Sequence, residues 1–173
     1  MKFIIRCSAL LSFLALFAGC STITIQFSPM KEADESQPRA KLRVLANSWV
    51  KGIPNRDCVD RSAPGAGTVY GGLLGSDGYK GRSLDMPFRP TSVNASNIAE
   101  MYVAADKPIA LSLVVADGAY VICILSGSFV PEKDKNYEAR LFWDWSQKKC
   151  TFNLDELGDL KIPVKISKAD SCK

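Results

Sequence analysis

Hydrophobic and polar positions alternate along much of this chain with the two-residue period of β-strands. IAEMYVAA (98–105) sets Ile98, Glu100, Tyr102 and Ala104 on one face, and Ala99, Met101, Val103 and Ala105 on the other. YEARLFWDW (137–145) sets Tyr137, Ala139, Leu141, Trp143 and Trp145 against Glu138, Arg140, Phe142 and Asp144. LRVLANSWV (42–50) predicts one strand, TVYGGLL (68–74) a short one and CTFNL (150–154) another. LKIPVKI (160–166) predicts an edge strand, because Pro163 has no N–H to give to a ladder. IALSLVVA (109–116) and AYVICIL (119–125) are nearly all apolar and read as central strands buried on both faces, joined at the hairpin signal Asp117-Gly118. Ser126-Gly127 predicts a turn, with FVP a short strand after it.

Elsewhere the alternation breaks. STITIQFS (21–28) alternates Ile23, Ile25 and Phe27 and reads as a first strand or a sticky tether. PMKEADESQPRA (29–40) is charged and carries two prolines, so it reads as a solvated linker. Residues 53–67 read as loop. Residues 75–97 form a second loop, of a length that is uncommon in a compact domain without a function. No useful helical period follows the first segment. Short strands about 8–12 residues apart, separated by turn residues, predict an all-β fold: a single antiparallel β-sandwich of immunoglobulin-like type over 41–173.

The first segment is different. Lys2 and Arg6 precede an apolar run, Cys7 to Ala18, and Gly19 and Cys20 follow. A helix of that length spans roughly 18 Å, whereas the hydrocarbon core is ~30 Å thick. A cleaved export signal therefore fits better than a membrane span. Leu16-Phe17-Ala18-Gly19-Cys20 resembles the lipobox of bacterial lipoproteins, although Phe17 stands where leucine is usual. The resemblance implies a signal over 1–19, a lipid-bearing Cys20 and a linker to residue 40. Ser21 after the cysteine implies, by the same family's sorting habit, an outer-membrane anchor facing the periplasm.

Without 1–19 the chain keeps about 154 residues, one domain able to bury a core. The formal charge is +4 for the whole chain and about +2 without Lys2 and Arg6, with no basic run, which gives nucleic-acid binding no support. With Cys7 and Cys20 accounted for, Cys58, Cys123, Cys150 and Cys172 remain, an even number in an exported chain. Four cysteines allow three pairings, and their spacing does not choose. The expected pairs are Cys123–Cys150, tying two core strands, and Cys58–Cys172, pinning the tail to the first long loop. No cofactor and no metal are expected: the cysteines are scattered and histidine is absent.

The stretch from Cys123 through Phe129-Val130-Pro131 and Tyr137-Glu138-Ala139 to Cys150, with EMYVAADKP (100–108) before it, resembles small uncharacterised lipoproteins of Gram-negative bacteria. It implies the same class and the Cys123–Cys150 pairing, and no activity.

Candidate chemistry is sparse. Ser146-Gln147-Lys148-Lys149 matches the S-x-x-K of penicillin-binding enzymes, but its partner motifs are absent and it falls in a hairpin turn. Gly65-Ala66-Gly67-Thr68 lacks the following helix that a phosphate loop needs. The Trp143/Trp145 face reads as core in the company of Leu141 and Ala139, with a sugar-binding platform as the sharper alternative. Loop carboxylates Asp57, Asp60, Asp77 and Asp85 sit among arginines and lysines without calcium-loop spacing. These observations point away from an enzyme and toward a tethered module contacting an envelope protein or peptidoglycan, with Arg61, Tyr79, Arg82, Phe88 and Phe142 as candidate contacts. The alternative expectation is an inhibitor or immunity protein against a lysozyme or toxin. No nucleic-acid partner is expected.

Overall fold

The computed structural model describes residues 28–71, 77–90 and 97–173. Cys20, the 1–19 signal, all but Ser28 of the candidate strand 21–28, and residues 72–74 of the expected strand 68–74 lie outside the described residues.

The strands are β1 (Arg39–Ala46), β2 (Trp49–Pro54), β3 (Gly67–Tyr70), β4 (Ile98–Ala104) and β5 (Ile109–Asp117), then β6 (Tyr120–Phe129), β7 (Asn136–Asp144), β8 (Lys149–Leu157), β9 (Lys161–Pro163) and β10 (Ser167–Lys168). They form two five-stranded sheets, ordered β4-β1-β7-β8-β9 and β10-β6-β5-β2-β3. The fold is thus an all-β, two-sheet sandwich. Pairing between the named strands is antiparallel except where β1 runs parallel to β7. The inner faces interdigitate: Leu42, Val44, Met101, Leu111, Leu113, Ala139 and Leu141 are all fully buried in one cluster.

Several expected elements change. The apolar run 42–50 is two strands in different sheets, with the chain crossing at Asn47-Ser48. No glycine or proline marks this crossing, because side chains take over from the ladder. Asn47 Nδ2 donates to the Trp143 carbonyl at 2.9 Å, and Asn47 Oδ1 accepts from the Trp143 N–H at 2.9 Å. Ser48 Oγ donates to the Val114 carbonyl of β5, the strand beside which the chain enters the second sheet, at 2.9 Å. Two backbone groups at the end of one sheet are thereby satisfied while the chain leaves it.

Ser126-Gly127 is strand, not turn; β6 continues through it to Phe129. The glycine serves packing: a Cβ there would lie 2.4 Å from Ile166 Cγ2 and 3.0 Å from the Phe152 ring. β5 is buried over most of its length, as expected, but the first half of β6 is not. Tyr120 is 78 %, Val121 57 % and Ile124 56 % exposed. β9 is a short edge strand containing Pro163, as its sequence suggested.

The solvated linker is also corrected in part. Met30 is 1 % exposed and belongs to the main core. Its N–H donates to the Thr68 carbonyl at 2.9 Å, and Pro29 bridges Thr68. Ala33 N–H donates to the Tyr102 carbonyl at 3.2 Å. Segment 28–33 therefore closes one side of the sandwich, touching β3 of one sheet and β4 of the other. Gly78 to Gly81 crosses the same gap: Gly78 bridges Tyr70, Lys80 bridges Ala99, and Gly81 N–H donates to the Ile98 carbonyl at 2.6 Å.

Candidate functional site

The first sheet has a polar outer face and the second a mixed one, and each carries a cover. On the first sheet, strand register aligns Glu100, Arg43, Glu138 and Asp155 in one row. Arg43 is 1 % exposed. Its Nε donates to Glu100 at 2.7 Å and its Nη1 to Glu138 at 3.2 Å. The same guanidinium donates to the carbonyls of Pro87 at 2.9 Å, Met86 at 3.0 Å and Phe88 at 3.1 Å. Glu100 also accepts from the Leu84 N–H. A planar guanidinium with five donors suits this fan of acceptors. Glu138 further pairs with Lys161 at 2.8 Å, and Arg140 joins Asp155 at 2.7 Å. The second long loop is thus stapled to the sheet through its backbone, and Met86 is buried beneath it.

The second sheet is covered by residues 56–66 and the C-terminal tail. Cys58–Cys172 joins them, with Cα atoms 5.1 Å apart. Val59 bridges Ser171, and its N–H donates to the Asp170 carbonyl at 2.8 Å. Beneath lies a second apolar cluster of Ile53, Ala63, Ala66, Ala110 and Ala169. The other bridge, Cys123–Cys150, ties β6 to β8 across the two sheets, with Cα atoms 6.6 Å apart. Both bridges are the expected pairs.

Where the tail leaves β6, a groove of about 1060 Å³ opens. Arg61 and Ser62 from the first long loop, Lys168 and Asp170 from the tail, and Ile124, Leu125 and Ser126 from β6 line it. β10 pairs only with Gly127 and Ser128, and Ala169 N–H donates to the Ser126 carbonyl at 3.3 Å. Among the described residues, no strand flanks β6 from Tyr120 to Leu125 on the side away from β5. Arg61 also acts on Lys51, whose ammonium is pushed below its usual range by burial and then by the Arg61 charge. Lys51 Nζ donates to Thr68 Oγ1 at 2.8 Å.

The five candidate contact residues are not brought together. Arg61 borders the groove. Tyr79 and Arg82 lie beside β4 instead: the Tyr79 hydroxyl donates to the Met30 carbonyl, and Arg82 pairs with Glu32 at 2.8 Å. Burial raises the Tyr79 phenol above its usual range, and the Glu32 charge adds to this. Phe88, 43 % exposed, sits on the first sheet's cover, where Lys161 stands 5.9 Å from its ring centre. Phe142 is half-buried on the outer side of the first sheet. Of the two tryptophans, Trp143 is core, whereas Trp145 is 63 % exposed past the strand end, edge-on to Trp143 at 5.8 Å. Ser146 Oγ donates to Asp144 at 2.6 Å, so the S-x-x-K serine is engaged within its own turn.

Comparison with known proteins finds nothing similar. No family model, no curated protein and no solved structure matches the chain. Among the described residues, no three His, Cys, Asp or Glu side chains are grouped to hold a metal ion, and no helix is long and apolar enough to cross a membrane. The groove and the unflanked length of β6 escaped the sequence reading. Their one signal was the uncharged run AYVICIL, taken for interior.

Proposed function

We propose that this chain is a lipid-anchored, non-catalytic binding module of the outer membrane, facing the periplasm and held there through Cys20. Its groove takes an extended segment of an envelope partner. We read the body as an immunoglobulin-like scaffold in the broad sense of two packed sheets presenting loops; the strand order, with β1 parallel to β7, differs from the simple antiparallel plan.

One observation carries the proposal: the unflanked edge of β6 at Ile124 and Leu125, beyond the bulge, lines the groove. An edge strand offers unpaired N–H and C=O groups, and an extended peptide pairs with them while its side chains meet neighbouring pockets. Here the adjacent surface supplies apolar Ile124 and charged Arg61, Lys168 and Asp170. The loop and tail segments that line the groove are joined by Cys58–Cys172 and rest on the small apolar cluster, so little freedom is lost on binding. Anchoring raises the effective concentration of the module near its neighbours.

Site-specific photo-crosslinking from Ser126 and Arg61 in living cells tests this. A discrete adduct at both positions, lost when Ile124 is changed to arginine, is expected. No adduct at either position, or one indifferent to Ile124→Arg, counts against the groove. Mass spectrometry of the native chain tests the anchor separately.

A further inference from the structure

We propose that the tip of the β5–β6 hairpin, together with the β7–β8 turn, seats on a lipid bilayer interface. Tyr120, Val121, Ile122 and Trp145 are 78 %, 57 %, 39 % and 63 % exposed. No charged residue occurs from Gly118 to Ser128. The register sets Val121 beside Ala116 on one face of the ribbon and Tyr120 beside Asp117 on the other, so apolar side chains stand on both faces and Asp117 is the one charge of the hairpin tip. A ribbon that exposes apolar side chains on both faces is costly in water and suited to an apolar medium. Cys123–Cys150 and the pairing of Trp143 with Cys150 bring the β7–β8 turn to the same end. Trp145 and Tyr120 are the side chains that favour the boundary between hydrocarbon and headgroups. Lys148 and Lys149, both exposed, add attraction to anionic headgroups. Asp117 and Asp144 are the opposing charges; hydrogen bonds from Ser146 and Gln147 hold the Asp144 carboxyl below its usual range.

Two observations favour a bilayer over a second copy of the chain. The β5–β6 ladder shifts register at Val115/Ala116, leaving Ile122 as the extra residue. A bulge twists the strand and breaks the ladder that a paired edge would need through the tip. The tether also reaches. Cys20 and Ser28 are eight residues apart, which spans at most about 28 Å. Ser28 is held at Thr68, level with Ser112 through Lys51. The hairpin tip lies about 17 Å further along the strands. Acyl chains on Cys20 and the hairpin tip can therefore enter one leaflet. Only this last point rests on the proposed anchor.

The test uses the chain from residue 20 with Cys20→Ser, which carries no lipid and so stands apart from the anchor reading. It is mixed with vesicles of phosphatidylethanolamine and phosphatidylglycerol, and with phosphatidylcholine alone. Flotation measures partition, and quenching by brominated lipid measures tryptophan depth. Expected are partition into both vesicles, stronger with phosphatidylglycerol, and quenching that disappears in Trp145→Phe. Tyr120→Ser/Val121→Ser/Ile122→Ser is expected to lower partition about tenfold or more, with its melting temperature as parent because these side chains lie outside the core. No partition, partition indifferent to the triple change, or a dimer abolished by that change would each overturn the proposal.

Discussion

Replacing Arg43 by methionine removes the buried cation that the first sheet shares with its cover; Lys41, which donates to the Leu84 carbonyl at 2.8 Å, remains. The parent guanidinium serves two buried carboxylates and the carbonyls of Met86, Pro87 and Phe88. The carboxylates are not equally exposed to its loss. Glu138 keeps Lys161 at 2.8 Å and Arg140 at 3.5 Å. Glu100 keeps only the Leu84 N–H among its described partners. Breaking a buried pair by removing one partner costs about 3–5 kcal/mol, chiefly because the remaining charge is stranded. We therefore expect Arg43→Met to lose about 3–5 kcal/mol in urea unfolding followed by tryptophan fluorescence, and its 82–90 segment to become the first site of proteolysis. Adding Glu100→Gln removes the stranded charge and should recover about 2 kcal/mol, whereas Glu138→Gln should recover less. An Arg43→Met protein within about 1 kcal/mol of parent, or equal rescue by the two glutamines, would refute the reasoning.

Three further outcomes follow from the same structure. Loop closure over the 114-residue separation of Cys58–Cys172 is worth about 5 kcal/mol, and over the 27-residue separation of Cys123–Cys150 about 3.5 kcal/mol, so Cys58→Ser/Cys172→Ser should lower the unfolding midpoint more in the same assay. Gly127→Ala should cost about 1–3 kcal/mol by thermal unfolding, because its methyl group meets Ile166 and Phe152. Lys51, depressed by burial and by Arg61, should titrate nearer its ordinary value in Arg61→Gln, read by NMR of lysine side-chain amines. The sign follows from the depressed folded value: below it the cost of the buried ammonium is fully present, and stability gains from this group as pH rises from there toward 10.5, since the unfolded chain then holds more protons.

Strand positions were largely legible because alternation and turn residues speak directly of local structure. The placement of strands in sheets was not. Nothing between Leu42 and Val50 looks like a break, and Asn47 and Ser48 become a crossing only through carbonyls of Trp143 and Val114 far along the chain. Gly127 misled because a glycine needed for close approach of Ile166 and Phe152 reads like one needed for a turn. Met30 was hidden among charges, and a single buried side chain has no period. Arg43 interrupts an apolar run and looks like an outward residue; its burial depends on a loop that arrives more than forty residues later. In the site, Arg61 was found through its loop. The exposed half of β6 was missed because a hydrophobic strand looks the same whether it is buried or left open.

The two bridges are nested: the outermost cysteines join each other and the inner two join each other. Were the chain oxidised as it is threaded N-terminus first, Cys58 would be the first of these four to appear and would next meet Cys123, the partner of another residue. Its own mate, Cys172, lies 114 residues further on. Pairing strictly in order of appearance would join Cys58 to Cys123, so the nested bridges form either after Cys172 is available or by thiol–disulfide reshuffling.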